Sequence, residues 1–203
     1  MAQRQMIAID IDDVVADTMS AVQRWANTTT GAQLEGHHYR TSDPYWDYYN
    51  SIWRRHGIAD KLNFEEFLNQ MATDQSHIAV QDGAREVIEV LKQQYDVIFL
   101  TSRPPAQKEA TRRWLDERID ATISLYIASN PFTNAGAQSK GEICAELGVN
   151  LLIDDSVDNC TNAADYGVTP VLFGNYGWNE RAPGTITRCA TWYDVREYLQ
   201  HEA

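Results

Sequence analysis

The stretch Met6 to Thr18, Met-Ile-Ala-Ile-Asp-Ile-Asp-Asp-Val-Val-Ala-Asp-Thr, limits the fold more than any other part of the chain. Ile7 to Ile9 form a short apolar run of the kind found in strands buried on both faces. Asp10 closes the run, Asp12 follows two places on, and Asp13 stands beside it. A carboxylate held away from water is costly unless something pairs with it. Acids gathered where a buried strand stops are therefore tolerable mainly where a cation or a reaction uses them. In open parallel sheets the ligand crevice lies outside the carboxyl ends of the strands. Asp10 and Asp12 are expected there.

Further along, Ser20 to Thr28 reads as a helix with Val22, Trp25 and Ala26 on its apolar stripe, stopped at Thr30-Gly31. From Gln33 to about Gln81 the character changes. Tyr39, Tyr45, Trp46, Tyr48, Tyr49 and Trp53 crowd a short span that holds no convincing strand. Asp43-Pro44 reads as a helix start, with Gly57 as its stop. Asn63 reads as the cap of a second helix whose face is Phe64, Phe67, Leu68 and Met71.

Alternation resumes at Asp82. A helix from about Ala84 to Gln94 leads to a strand, Asp96 to Leu100, which ends at Thr101-Ser102-Arg103-Pro104-Pro105. A helix from about Ala106 to Arg118, a strand within Ala121 to Ala128 and a loop, Ser129 to Ser139, follow. A helix from Lys140 to Leu147 is closed by Gly148. A strand, Asn150 to Ile153, ends at Asp154-Asp155. A helix, Val157 to Tyr166, and a strand, Thr169 to Phe173, come next, and Thr191 with Asp194 opens a last helix. Strands alternating with helices predict an α/β fold, a doubly wound parallel sheet covered on both faces. Residues 1–18 and 82–203 are the expected core. Residues 19–81 are the expected small helical cap, a lid over the carboxyl edge.

A length of 203 residues suits one domain with a modest insert. The net charge of -12 argues against a nucleic-acid polymer or an anionic membrane as partner. Three widely spaced cysteines, Cys144, Cys160 and Cys189, show no metal-ligand spacing and read as reduced thiols. With no secretory signal pattern and no long apolar run, the expected location is the cytoplasm.

Three predicted strands thus carry suggestive groups at their carboxyl ends: Asp10 and Asp12, then Thr101 and Ser102, then Asp154 and Asp155. Lys140 opens a helix beside them. Phosphoryl transfer is the chemistry that wants this set. Clustered carboxylates hold a hard cation such as Mg²⁺. Of two neighbouring acids, one can attack phosphorus while the other moves a proton. A hydroxyl and a lysine can hold the phosphate oxygens and their growing charge.

These residues resemble the four ordered motifs of the haloacid-dehalogenase-like (HAD) hydrolases. Asp10-Ile11-Asp12-Asp13-Val14 is similar to the family's DxDx[TV] motif, Thr101 to its Ser/Thr motif, Lys140 to its lysine motif, and Leu151-Leu152-Ile153-Asp154-Asp155 to its acidic motif. The resemblance implies Asp10 as nucleophile and cation ligand, and Asp12 as general acid/base whose backbone carbonyl helps to hold the cation. It implies phosphate binding by Thr101, a bridging Lys140, Asp155 as direct ligand and Asp154 acting through water or behind it. The cofactor it implies is Mg²⁺. Ser102 and Arg103 are further candidates for the substrate side, with a surface or structural role as the open alternative.

A narrower resemblance is to the 5'(3')-deoxyribonucleotidase-like branch. It rests on Ile9 to Thr18, on Leu100-Thr101-Ser102-Arg103-Pro104, on Val171-Leu172-Phe173 followed by Trp178-Asn179, and on a helical insert after the first motif. It implies a small phosphorylated substrate, a nucleotide, with the cap aromatics either stacking on the base or filling the cap's own core. The alternatives are a sugar-phosphate phosphatase or phosphotransferase, and a catalytically silent nucleotide-binding module.

Overall fold

The structure, a computed structural model, describes residues 4–130 and 134–202. Residues 1–3, 203 and 131–133, the last within the predicted loop Ser129 to Ser139, lie outside the described residues. Six strands form one sheet: β1 (Met6–Ile9), β2 (Asp96–Thr101), β3 (Ser124–Ile127), β4 (Leu151–Asp154), β5 (Thr169–Phe173) and β6 (Thr187–Cys189). Their order is β3-β2-β1-β4-β5-β6 and every pairing is parallel. The chain winds outward from β1 in both directions, so the connections diverge between β1 and β4. That divergence leaves a crevice at the carboxyl ends. Register lines the ends up: Ile9 lies between Phe99 and Ile153, and Asp10 N–H donates to Ile153 O at 2.9 Å.

Side chains alternate across the sheet as the pleat requires. Ile7, Ile9, Phe99, Leu151, Ile153, Val171 and Phe173 enter the larger apolar cluster. Ala8, Ile98, Leu100 and Leu152 enter the smaller one. On the larger side lie α1 (Thr18–Thr30), α4 (Ala84–Leu91) and α8 (Trp192–Glu202), through residues such as Val22, Ile88 and Val195. On the smaller side, α6 (Lys140–Leu147) and α7 (Val157–Asp165) contribute Ile143, Cys144 and Ala163. The remaining core helix is α5 (Lys108–Arg118).

The insert contains α2 (Tyr48–Arg55), α3 (Phe64–Met71) and three single turns of 3-10 helix. Its rings pack on one another. Tyr49 stacks on Trp53 at 5.9 Å, Phe64 on Phe67 at 5.7 Å, and Trp25 of α1 meets both Trp53 and Phe67. Between Gln33 and Gln81 the only strand-like feature is a single bridge from Val80 to Ala16.

Three local expectations shift. The segment after Asp43-Pro44 makes a 3-10 turn, Tyr45–Asp47, before α2 begins. Asp43 is drawn instead to Arg55 and the Thr41 hydroxyl, because a guanidinium is a stronger partner than a backbone N–H. The helix expected to reach Gln94 ends at Leu91. Strand β6 has no expected counterpart: three residues with one buried apolar side chain, Cys189, give no alternation to read. No helix among the described residues is long and apolar enough to cross a membrane.

Candidate active site

Local signals place the site's lysine. Ser139 and Glu142 form a reciprocal capping box that starts α6, and Gly148 at φ 71° ends it. Lys140 therefore sits in the first turn, aimed at the ends of β1 and β4. Its Nζ lies 2.6 Å from Asp10 Oδ1 and 2.6 Å from Asp154 Oδ2, and the lysine is 3 % exposed. Asp10, Asp154 and Asp155 are all buried, each with an oxygen within 4.8 Å of the others.

The two acids that end β4 differ. Asp154 is fully engaged: Lys140 holds Oδ2, while Ser156 N–H at 2.9 Å and Asn159 Nδ2 at 3.0 Å donate to Oδ1. The Asp155 carboxylate accepts one hydrogen bond, from Trp178 Nε1 to Oδ2 at 2.8 Å. Its Oδ1 is buried and has no hydrogen-bond partner; among the described residues only Gln107 Oε1 shares that condition.

Burial dominates the electrostatics. It raises the carboxyls of Asp10 and Asp155, and neighbouring acids add to the effect while Lys140 opposes it. Burial also works against charge on Lys140, but Asp10 and Asp154 outweigh it and keep the ammonium protonated. Three buried carboxylates thus face one cation of the protein's own. An all-oxygen donor set with uncompensated negative charge and one bare carboxylate oxygen fits a hard divalent ion.

Asp12 stands outside that cluster. Arg103 grips it with two hydrogen bonds, Nε to Oδ2 at 2.9 Å and Nη2 to Oδ1 at 2.7 Å, and the Thr18 hydroxyl donates to Oδ1 at 2.6 Å. Burial would raise the Asp12 carboxyl, but the guanidinium and the Thr18 hydroxyl bring it below the ordinary value. Arg103 is itself 4 % exposed, and its Nη1 donates to Gln75 Oε1 at 2.7 Å and Thr111 Oγ1 at 3.1 Å. Where the sequence left Arg103 between a substrate-side and a structural role, the structure turns its guanidinium to Asp12. Thr101 ends β2 with its hydroxyl accepting Arg103 N–H at 3.2 Å, and the half-buried Ser102 accepts from Asn130 Nδ2 through its carbonyl.

Asp13 takes a local job. At φ 57° it is the one described non-glycine residue with positive φ, and its carboxylate accepts Met19 N–H at the start of α1. It is buried. Asp17 caps the same helix through Ser20 N–H.

An aromatic rim completes the site. Tyr176 stacks on Trp178 at 4.5 Å, and Tyr48 and Tyr45 of the insert meet the indole edge-on at 4.8 and 6.0 Å. The hydroxyls of Tyr45 and Tyr49 are pushed well above their ordinary range, first by burial and then by charges that include Asp12 and Asp155. The ring of Tyr45 nevertheless stays half exposed. Sequence reasoning gave no role to Gln75, Thr111 or Thr18, whose polar side chains in a loop, in a helix and at a helix start resemble many others. Trp178 carried a signal, its position in the loop after a strand's carboxyl end.

Comparison with known proteins agrees at the level of the fold. No family model matches the chain. A candidate nucleotidase of Halalkalibacterium halodurans is 23% identical over 146 residues, which is 68% of this chain and 70% of that protein. A Haemophilus somnus protein predicted to be a phosphoglycolate phosphatase superposes with a TM-score of 0.65 at 14% identity, covering 98% of this chain and 100% of that one. A HAD family hydrolase of Deinococcus radiodurans, with bound phosphate and sodium, gives 0.62 at 14% identity over 99% and 97%. The D,D-heptose 1,7-bisphosphate phosphatase of B. bronchiseptica, with magnesium and phosphate, gives 0.53 at 14% identity over 98% and 99%. The chain has the fold of the HAD hydrolases, as its four motifs led one to expect.

Proposed function

We propose that the protein is a divalent-cation-dependent phosphomonoesterase working through an aspartyl-phosphate, with Mg²⁺ as the ion. The observation that carries this reading is the buried set Asp10, Lys140, Asp154 and Asp155, in which three acids are gathered around one lysine. Asp10, Asp155 and, through its backbone carbonyl, Asp12 would hold the ion, with Asp154 behind them. The ion would neutralise phosphate charge and orient the phosphoryl group.

The chain's own residues then divide the work. An Asp10 oxygen attacks phosphorus and the bond to the leaving oxygen breaks, while Asp12 gives that oxygen a proton. In the second half, water attacks phosphorus, Asp12 takes the water proton, and the Asp10 carboxylate is released with inorganic phosphate. Arg103 holds Asp12 ionised at rest, the form that takes the water proton. Donation in the first half requires Asp12 to loosen from Arg103 and pick up a proton. Thr101, with Ser102, binds the phosphate oxygens, and Lys140 offsets the charge on Asp10 and phosphate.

Within residues 19–81, α1 joins the larger apolar cluster through Val22, and the remainder, with α2 and α3, serves as the cap that excludes water from the acyl phosphate. The substrate is a nucleotide or deoxynucleotide. That choice is supported by the nucleotidase-named relative and by Tyr45, half exposed near the acids, a face on which a base can stack. Three unpaired cysteines suit a reduced, cytoplasmic setting.

The test is turnover of a panel of nucleoside monophosphates, sugar phosphates and cofactor phosphates with and without Mg²⁺. Nucleotide turnover that needs Mg²⁺ and falls with Asp10→Asn is expected. Equal turnover by Asp10→Asn would sink the mechanism. A preference for sugar phosphates, or transfer to an alcohol acceptor, would replace only the substrate class or the acceptor.

A further inference from the structure

We propose that Trp178 is a positioning residue for the cation site: its indole N–H holds one oxygen of Asp155 so that the other is presented bare to the ion. This rests on the cation-dependent reading above.

Asp155 is held at both ends by consecutive residues. Trp178 Nε1 donates to its Oδ2 at 2.8 Å, and Asn179 Nδ2 donates to its backbone carbonyl at 3.0 Å. Asn179 is fully buried and cannot slide. Its Nδ2 also donates to Phe173 O at 3.0 Å, and its Oδ1 accepts Arg188 Nη1 at 2.7 Å and Tyr176 N–H at 3.1 Å.

The indole is fixed in turn by its faces and edges. Tyr176 lies flat on it, with an interplanar angle of 8°, and Tyr48 meets it at 85°. Tyr176 is anchored by donating to Asp13 O at 2.6 Å and accepting from Gln81 Nε2 at 3.0 Å. The insert closes directly on this segment, since a Cβ at Gly177 would collide with Thr41 O.

A tryptophan that only filled space would need an acceptor for its N–H, and Asp155 would serve. Packing does not explain why the second oxygen of the same carboxylate is buried with no donor, on a residue that has an oxygen within 4.8 Å of oxygens on Asp10 and Asp154. A buried acceptor left open costs stability. An ion there removes that cost, and the Trp178 bond fixes which oxygen meets it. Partners of ligating groups in other metal sites raise affinity in this way, and their loss costs about 10–100-fold.

The experiment is Mn²⁺ binding to the metal-stripped full chain, followed by electron paramagnetic resonance. Trp178→Phe keeps a ring against Tyr176 and removes the N–H, and it should weaken binding about 10–100-fold. Trp178→His restores a ring N–H and should recover part of the loss. Unchanged Mn²⁺ affinity in Trp178→Phe overturns the inference. Absence of Mn²⁺ binding in the unmodified protein overturns the reading beneath it. Should the variants fail to fold, the unmodified chain still decides: the Trp178 indole N–H resonance moves when Mg²⁺ is added, and a stationary resonance overturns the inference.

Discussion

At the carboxyl edge of the sheet, Asp10, Lys140, Asp154 and Asp155 are 5 % exposed or less. In the insert, Tyr39, Tyr48, Trp53 and Phe67 are 2 % exposed or less. The degree of burial is alike and the energetics are opposite. The insert buries rings that gain from leaving water and from edge-to-face contact. The edge buries charges that lose by it, three acids against one lysine. Residues that folding would keep in water are held at the edge by sheet geometry, and the proposed chemistry is the reason we give for their being tolerated there.

The most severe way to break this comparison is Asp10→Asn. It should lower turnover about a thousandfold or more, as loss of a nucleophile does elsewhere, while leaving the folded state intact in circular dichroism. A comparable fall in melting temperature would mean that Asp10 is structural and the two regions are alike. The converse change, Trp53→Ala in the insert, removes a buried ring that touches Trp25, Tyr49 and Phe64. It should cost about 3–5 kcal/mol in urea unfolding.

The next contrast is sharper because its two halves have opposite signs. Metal-free Asp155→Asn should be more stable than the metal-free parent, since it removes a buried charge and the indole N–H keeps an amide oxygen as acceptor. The parent should gain about 2.7 kcal/mol when Mg²⁺ is present at a hundred times its dissociation constant, and Asp155→Asn should gain almost nothing. Calorimetric melting with and without Mg²⁺ reads both.

The smallest effect lies far from either region. Asp120 pairs with Lys92 and accepts from the Thr122 N–H and hydroxyl, which bring its carboxyl down to about 2. A depressed acid stabilises the fold above its unfolded value of 3.8 and loses that contribution as pH falls toward 2. Asp120→Asn should therefore flatten the acid limb of the stability curve below pH 4, by less than about 1 kcal/mol for a pair this close to the surface.

Much of the edge was legible in the chain. Apolar runs that stop at Asp10, Thr101 and Asp154-Asp155 identify strand ends, and strand ends in a parallel sheet converge. Gly148 marks the end of the helix that carries Lys140, while its Ser139 cap emerged only in the structure. The insert was legible only in part. Its helices could be read from Asn63 and the spacing of its apolar residues, but the partners of its rings could not, because contact between Tyr48 and Trp178 joins residues 130 places apart. The 3-10 turn at Tyr45 and strand β6 were missed because the first depends on an Arg55 side chain from the next helix and the second on pairing with β5.

Sequence alone determined the fold class, the placing of four charged side chains at one edge, and the presence of an aromatic insert, because all three follow from local periodicity, capping and the end points of apolar runs. Tertiary structure decided which oxygen of which acid stays bare, that Arg103 turns to Asp12, and that Trp178 holds Asp155. Those outcomes depend on directions taken by side chains from distant elements, and a hydrogen bond within 3 Å between them is set by packing, not by any pattern along the chain.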